Sequence, residues 1–152
     1  MLLGVAAVAG AVSAHDGGPV VNGPPPPTYY YTVSPCRVVD TRMPDGPLGG
    51  PVLAPVSTRT FAVTGAPCGI PVTATSVSVN VTAVVPAAVG NLTLYPGNAE
   101  APIASTLNYL HGVTRANNAV VALAVDASGT ITVRNASAGT VHFVLDVNGY
   151  FE

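Results

Sequence analysis

Apolar and polar residues alternate along most of the chain after residue 29, which is the periodicity of strands that bury one face. Gly and Pro interrupt the pattern roughly every ten residues, and β-branched residues fill the segments between these breaks. The clearest alternation is in segment 75–85, where small polar residues face away from a row of apolar ones: Val77, Val79, Val81, Ala83 and Val85. The pattern therefore predicts an all-β fold.

The predicted strands are separated by turns rich in Gly, Pro, Asn and Asp, residues that suit tight connections. In chain order they are Tyr29–Val33, Arg37–Asp40, Thr58–Thr64, Thr75–Val85, Asn91–Tyr95, Ser105–Tyr109, Asn118–Val125, Thr130–Arg134 and Thr140–Val147. In the last strand, the face predicted to enter the core consists of Val141, Phe143, Leu145 and Val147. The opposite face of that strand carries His142, Val144, Asp146 and Asn148.

Segment Val120–Val125 differs from the other strands because it is apolar on both faces. Such a strand is expected either at the centre of a sheet or under another element that covers its outer side. A fold of two stacked sheets can contain both strands with one apolar face and strands with two apolar faces. We therefore predict a Greek-key or jelly-roll-like sandwich over residues 29–152, with a closed barrel as the alternative.

Residues 1–14 form an apolar run without a single charge. A transmembrane helix needs about 20 apolar residues, so no membrane span is predicted. If the run is retained, its large side chains must be buried, and we predict an extended N-terminal arm that packs against a neighbouring subunit. The side chains expected to mediate this assembly are Leu2, Leu3, Val5, Val8 and Val12. The alternative is a signal peptide remnant ending at Ala14, although the basic segment that opens such peptides is missing.

Residues 15–28 are predicted to separate this arm from the sandwich. Glycines prevent a helix here, and Pro24 to Pro27 favour a stiff polyproline II segment. An extended spacer of this kind lets the arm reach across an adjacent small domain. A disordered leader is the alternative interpretation.

Charged residues make up 8% of the chain, against about 25% in an average protein. There is no Lys, and five Arg face seven acidic residues, so the chain offers no basic surface for nucleic acid. The sequence also lacks a nucleophile elbow, a paired-Glu arrangement and a His-Glu metalloprotease motif. We predict that the protein is not an enzyme and carries no cofactor or metal.

Cys36 and Cys68 are the two cysteines, and no His or further Cys completes a metal-ligand cluster around them. This favours a structural disulfide over two free buried thiols. A persistent disulfide predicts an extracellular or cell-surface location.

Three Asn-X-Ser/Thr sequons make glycans a possible partner, at Asn80, Asn91 and Asn135. The last two lie near predicted turns and are expected to be the accessible acceptors.

Three charged residues stand close together in the second predicted strand and just after it: Arg37, Asp40 and Arg42. Strict alternation places Arg37 and Val39 opposite Val38 and Asp40. A buried Asp40 could then pair with Arg42, Arg59 or Arg134 in a structural ion network, which we favour over a carboxylate-recognition site.

Four short motifs occur in a fixed order: PCRVVDTR at 35–42, CGIP at 68–71, NVT at 80–82 and DVNGYF at 146–151. With them the chain resembles a β-sandwich repeat domain of secreted bacterial proteins, which has the form PCRLLDTR, CGIP, NVT and DVNGYF. The resemblance covers nearly all of 35–151 and none of 1–28. It implies a scaffold that accompanies secreted enzymes or stands on cell surfaces, without catalytic activity of its own.

Two functions are consistent with these features. The first is a structural subunit of an extracellular bacterial filament, which assembles head to tail by adding its arm to the next subunit or packing it there. The second is a monomeric secreted module that binds a cell surface or a polysaccharide. In that case tyrosines would supply the stacking platforms, namely Tyr29 to Tyr31, Tyr95 and Tyr109.

Overall fold

The computed structural model describes residues 27–65 and 67–152, which form an all-β domain without a helix in that part of the chain. Its strands are β1 (Tyr30–Asp40), β2 (Ser57–Ala62), β3 (Ser76–Val84), β4 (Gly90–Pro96), β5 (Leu107–Tyr109), β6 (Arg115–Ala122), β7 (Thr130–Asn135) and β8 (His142–Phe151). The predicted fold class is confirmed. The assembly residues of the arm, 2–12, lie outside the described residues.

The strands form two four-stranded antiparallel sheets. Sheet I has the order β1-β8-β3-β6, and sheet II has the order β2-β7-β4-β5. The pairs β1/β8, β2/β7, β3/β6 and β4/β5 are each hydrogen-bonded, so the chain is wound as four nested antiparallel pairs. This is the jelly-roll arrangement, in which successive pairs are shared between two facing sheets.

The core lies between the two sheets and consists of their inner faces. In β3, Val77, Val79, Val81 and Ala83 are fully buried, as the alternation predicts. The four residues predicted for the core face of the last strand, Val141 to Val147, are buried as well. Phe61 of sheet II and Phe143 of sheet I meet at the centre, with ring centroids 5.7 Å apart.

Three details of the predicted strands are wrong. Segments 29–33 and 37–40 are parts of one strand, β1, whose register with β8 shifts between Thr32 and Cys36 and again between Arg37 and Val39. These bulges cancel the strict alternation, so Val38, Val39 and Asp40 are all buried. Val85 is exposed, because β3 ends at Val84 and Val85 has a positive φ of 43°.

Part of the outer face of sheet I is buried, although this face was predicted to be wet or in contact with a polar partner. Val144 is buried although its neighbours along that face are polar, so this part of the face is covered. Register between β3 and β8 shifts at Ser78/Val79, which moves the end of β8 by one residue. Beyond that shift the Tyr30 ring lies over Gly149, where any Cβ would overlap it.

The largest difference concerns β6, which is the outer strand of sheet I rather than a central or covered strand. Val120 is 63% exposed, and Val125, just beyond the strand, is 92% exposed. The prediction of a central or covered strand is therefore wrong for the described domain. Whether an apolar strand lies at the centre or at the edge of a sheet depends on which strands pair with it, and the apolar pattern of the strand alone does not specify these partners.

Cys36 and Cys68 form the predicted disulfide, with Cα atoms 5.7 Å apart. It joins β1 of sheet I to the connection that follows β2 of sheet II. Over the described part of the chain, no helix is long and apolar enough to cross a membrane.

Candidate functional site

A cluster of four charged side chains lies along β1 and the neighbouring strand β8. Asp40 accepts hydrogen bonds from Arg42, from Nε to Oδ1 at 2.8 Å and from Nη2 to Oδ2 at 2.6 Å. Arg37 forms a second bidentate pair with Asp146, from Nε to Oδ1 at 2.7 Å and from Nη2 to Oδ2 at 3.0 Å. Arg37 Nη1 also approaches Asp40 Oδ2 at 3.3 Å and so links the two pairs.

The predicted network of Arg37, Asp40 and Arg42 is thus brought together, with Asp146 as a fourth member that the sequence reasoning missed. Asp146 could have been considered from the sequence, because it is one of only seven acidic residues. It lies on β8, the strand paired with β1. The other two partners considered for Asp40 were wrong. Arg59 instead donates to the carbonyl oxygens of Gly46, Gly50 and Pro51, and Arg134 makes no ion pair within the described residues.

Asp40 is the buried centre of this network, with a side chain 8% exposed. Hydrogen bonds from the Arg42 guanidinium lower the pKa of Asp40 to about 2, against the opposing effect of burial. The backbone N–H of Arg42 donates to Oδ1 as well, at 3.1 Å. The ionised carboxylate therefore holds the turn that follows β1 in place.

We expect Asp40→Asn to remove part of the acid sensitivity of the fold. Because the pKa of Asp40 is lower in the folded state, its contribution is complete above the unfolded value near 4 and is lost as the pH falls toward 2. From pH 5 to pH 2 the wild type should lose about 1–2 kcal/mol more stability than the variant, as measured by urea unfolding.

Asp126→Asn provides the control for this measurement. Hydrogen bonds from Ser128 lower the pKa of the Asp126 carboxyl too, but the group is fully exposed and solvent screens it. Its removal should leave most of the acid sensitivity in place. Equal acid sensitivity of the wild type and Asp40→Asn would contradict the role given to this carboxylate.

A groove of about 530 Å³ adjoins the Arg37–Asp146 pair on the outer face of sheet I. Asn80 and Asn148 also line it, and Asn148 Oδ1 is buried without a hydrogen-bond partner. A buried acceptor without a partner is uncommon in folded proteins. Polar side chains therefore form a large part of the lining of this groove.

The tyrosines proposed as stacking platforms differ in accessibility. Tyr95 and Tyr109 are buried, so the prediction is wrong for both. Tyr109 belongs to the interior, where its hydroxyl donates to Asn135 Oδ1 at 2.8 Å and burial raises its pKa. Tyr30 remains accessible and packs against Phe151, with ring centroids 4.9 Å apart.

The exposure of the sequon asparagines differs from the prediction. Asn135 is 0% exposed, and its amide donates to the carbonyl oxygens of Ala54 and Gly139. It is therefore not an accessible acceptor, contrary to the prediction. Asn80 and Asn91 are half-buried.

The free edge of β6 is the second candidate site. Leu123 donates to the carbonyl of Thr75, and the register of β6 against β3 runs without a shift from Ser76/Ala122 to Ala83/Arg115. Hydrogen-bonded and non-hydrogen-bonded pairs alternate in such a ladder, so every second residue of β6 directs its backbone groups away from β3. These outward positions are Ala116, Asn118, Val120 and Ala122, and we call them the open edge.

The opposite edge of sheet I is formed by β1, which has features that hinder pairing with a further strand and that β6 lacks. β1 contains Pro35 and two bulges, and its last residue, Asp40, donates its N–H to Leu48. In β6, by contrast, there is no proline or bulge, and Arg115 at its start is its single charged residue. Proteins usually protect exposed edges with charges, prolines or bulges, because an unpaired edge recruits another strand.

A second groove, of about 570 Å³, lies beside the first half of β6, where the edges of the two sheets face each other. Leu107 and Tyr109 of β5 and Asn117 of β6 line it, together with the exposed side chains of Val89 and Leu110. Asn117 bridges the two sheets by donating to the carbonyl of Thr106 at 2.8 Å. The open edge therefore borders a partly apolar groove, which we call the edge groove.

Across residues 27–65 and 67–152, no group of three His, Cys, Asp or Glu side chains is placed to hold a metal ion. The described domain is a disulfide-bonded jelly-roll sandwich in which the edge strand β6 has no proline or bulge. No family model and no curated protein matches the chain.

Proposed function

We propose that the protein is a structural subunit of an extracellular bacterial filament. Each subunit assembles head to tail by adding its N-terminal arm, residues 1–14, to a neighbouring copy. The function is mechanical and requires no catalysis. The disulfide supports a location outside the cytosol.

The observation that carries this proposal is the mismatch between the pattern of β6 and its position. The last residues of β6 belong to the segment that is apolar on both faces, Val120–Val125, yet β6 lies at the edge of its sheet and Val120 is exposed. Exposed apolar strands without protection are costly in a freely diffusing protein. Another copy of the chain supplies the missing cover.

The topology also favours an open chain of subunits over a closed pair. The domain begins beside Tyr30, on β1, and the open edge lies on β6 at the other side of the same sheet. A contact between two different surfaces of identical subunits is heterologous, and such contacts build fibres unless the rotation closes a ring. The low charge of the chain adds little repulsion between copies.

Val8→Asp tests the arm by placing a charge in its middle. We expect loss of filaments in negative-stain micrographs and a shift to monomers in sedimentation velocity, since a buried unpaired carboxylate opposes packing. Val20→Asp is the matched control, with the same substitution in the spacer, and it should polymerise like the wild type. Intact-mass analysis of each sample establishes whether residues 1–14 are present.

Filaments built from chains that begin at His15 would overturn the proposal. Dispersed monomers with the same N-terminus would favour the second function, a secreted polysaccharide-binding module. The observation in its favour is the accessible Tyr30 ring near the outer groove of Asn80, Asp146 and Asn148. Aromatic rings beside hydrogen-bonding side chains suit sugars.

A further inference from the structure

We infer that the open edge of β6 is the acceptor site, and that the arm of a second copy occupies it as an added strand. This inference rests on the proposed function and locates its contact. Four residues of β6 direct their backbone N–H and C=O groups outward, and a paired strand would satisfy them. They are Ala116, Asn118, Val120 and Ala122.

The dimensions of the arm match this edge. β6 is eight residues long, which corresponds to about 27 Å of strand. The 14 residues of the arm reach about 46 Å when extended, so they can pair along the whole edge. The arm contains no charged residue and no proline, so nothing in it opposes pairing with the uncharged edge.

The edge groove adds specificity to this pairing. Side chains of an added strand alternate between the two faces of sheet I, and those on the inner face point toward the groove beside Asn117. Val89 and Leu110 offer it exposed apolar surface. Leucine and valine side chains of the arm would bury that surface.

A proline at an outward position tests the site without breaking the fold. The N–H of Asn118 points away from β3, so Asn118→Pro removes no hydrogen bond of sheet I but prevents pairing at the centre of the open edge. We expect loss of filaments and a shift to monomers in sedimentation velocity, with an unchanged circular dichroism spectrum.

Thr58→Pro is the matched control. The backbone N–H of Val63 donates to the carbonyl of Gly129, just beyond the last pair of the β2/β7 ladder. Because backbone groups alternate in direction along an antiparallel strand, the N–H of Thr58 points away from β7, at the outer edge of sheet II. This variant should polymerise like the wild type. Val120→Lys provides a second block if Asn118→Pro fails to fold, since its exposed side chain adds a charge to the edge.

The outcomes separate this inference from the proposed function. If folded Asn118→Pro or Val120→Lys still polymerises while Val8→Asp does not, the arm binds elsewhere and the assignment of β6 is overturned. If Val8→Asp still assembles and Asn118→Pro does not, then β6 pairs with the β6 strand of another copy. That result would overturn the inference that the arm occupies the open edge. If the wild type itself remains monomeric, the proposed function fails.

Discussion

Replacing Phe143 with Ala should lower the free energy of unfolding by about 3–5 kcal/mol, a large part of the stability of an ordinary domain. The ring is fully buried and meets Phe61 across the interface between the sheets, at 5.7 Å between centroids. Truncation removes apolar contacts from both sheets and leaves a cavity that their paired backbones cannot close. Guanidinium unfolding followed by circular dichroism measures the loss.

Phe151→Ala is the matched control for this prediction. Phe151 is half-buried near the end of the same strand and packs against Tyr30 on the outer side of sheet I. We expect a loss clearly smaller than that of Phe143→Ala, because solvent already reaches this ring. Equal losses at the two positions would contradict a core centred on the Phe61–Phe143 contact.

Loss of the disulfide is the second large effect expected. The bond closes a loop with a sequence separation of 32, which corresponds to about 3–4 kcal/mol in the chain-entropy description of the unfolded state. Reducing the wild type, or replacing Cys36 and Cys68 with Ala, should lower the free energy of unfolding by that amount. Urea unfolding with and without dithiothreitol measures it.

The double Ala variant supplies its own control. Dithiothreitol should leave its unfolding curve unchanged, since it contains no other cysteine to reduce. A reduced wild type that loses less than about 1 kcal/mol would show that the link does not constrain the unfolded chain as expected.

Features set by local alternation were predictable from the sequence. The inward face of β3 and the valine, phenylalanine and leucine row of β8 follow the period of two, because each strand has one buried side. The all-β class and the two-sheet architecture followed from the same periodicity and the turn residues. The disulfide required one further fact, that the chain has two cysteines.

Features set by pairing between distant strands were not predictable in this way. The bulge between Arg37 and Val39 depends on the register with β8, and it buries three consecutive residues that alternation separates. The same register brings Asp146 to Arg37. Nothing local in the sequence specifies this, because the two residues are 109 positions apart.

The position of β6 illustrates the same limit for the candidate assembly site. The apolar pattern of Val120–Val125 predicts a strand that is central or covered, and this prediction is wrong for the described domain. The structure places the strand at the outer edge of sheet I. The disagreement between pattern and position is itself the evidence on which the proposed function depends.

The disulfide also determines how a filament of such subunits would respond to tension. Tyr29 exchanges two backbone hydrogen bonds with Glu152, so a pull on the arm would first load the pairing of β1 with β8. Residues 29–35 can be drawn out, but the covalent link at Cys36 then passes the load to the connection after β2. In a filament joined through the arm, only residues 29–35 could therefore detach from the domain before the disulfide carried the load.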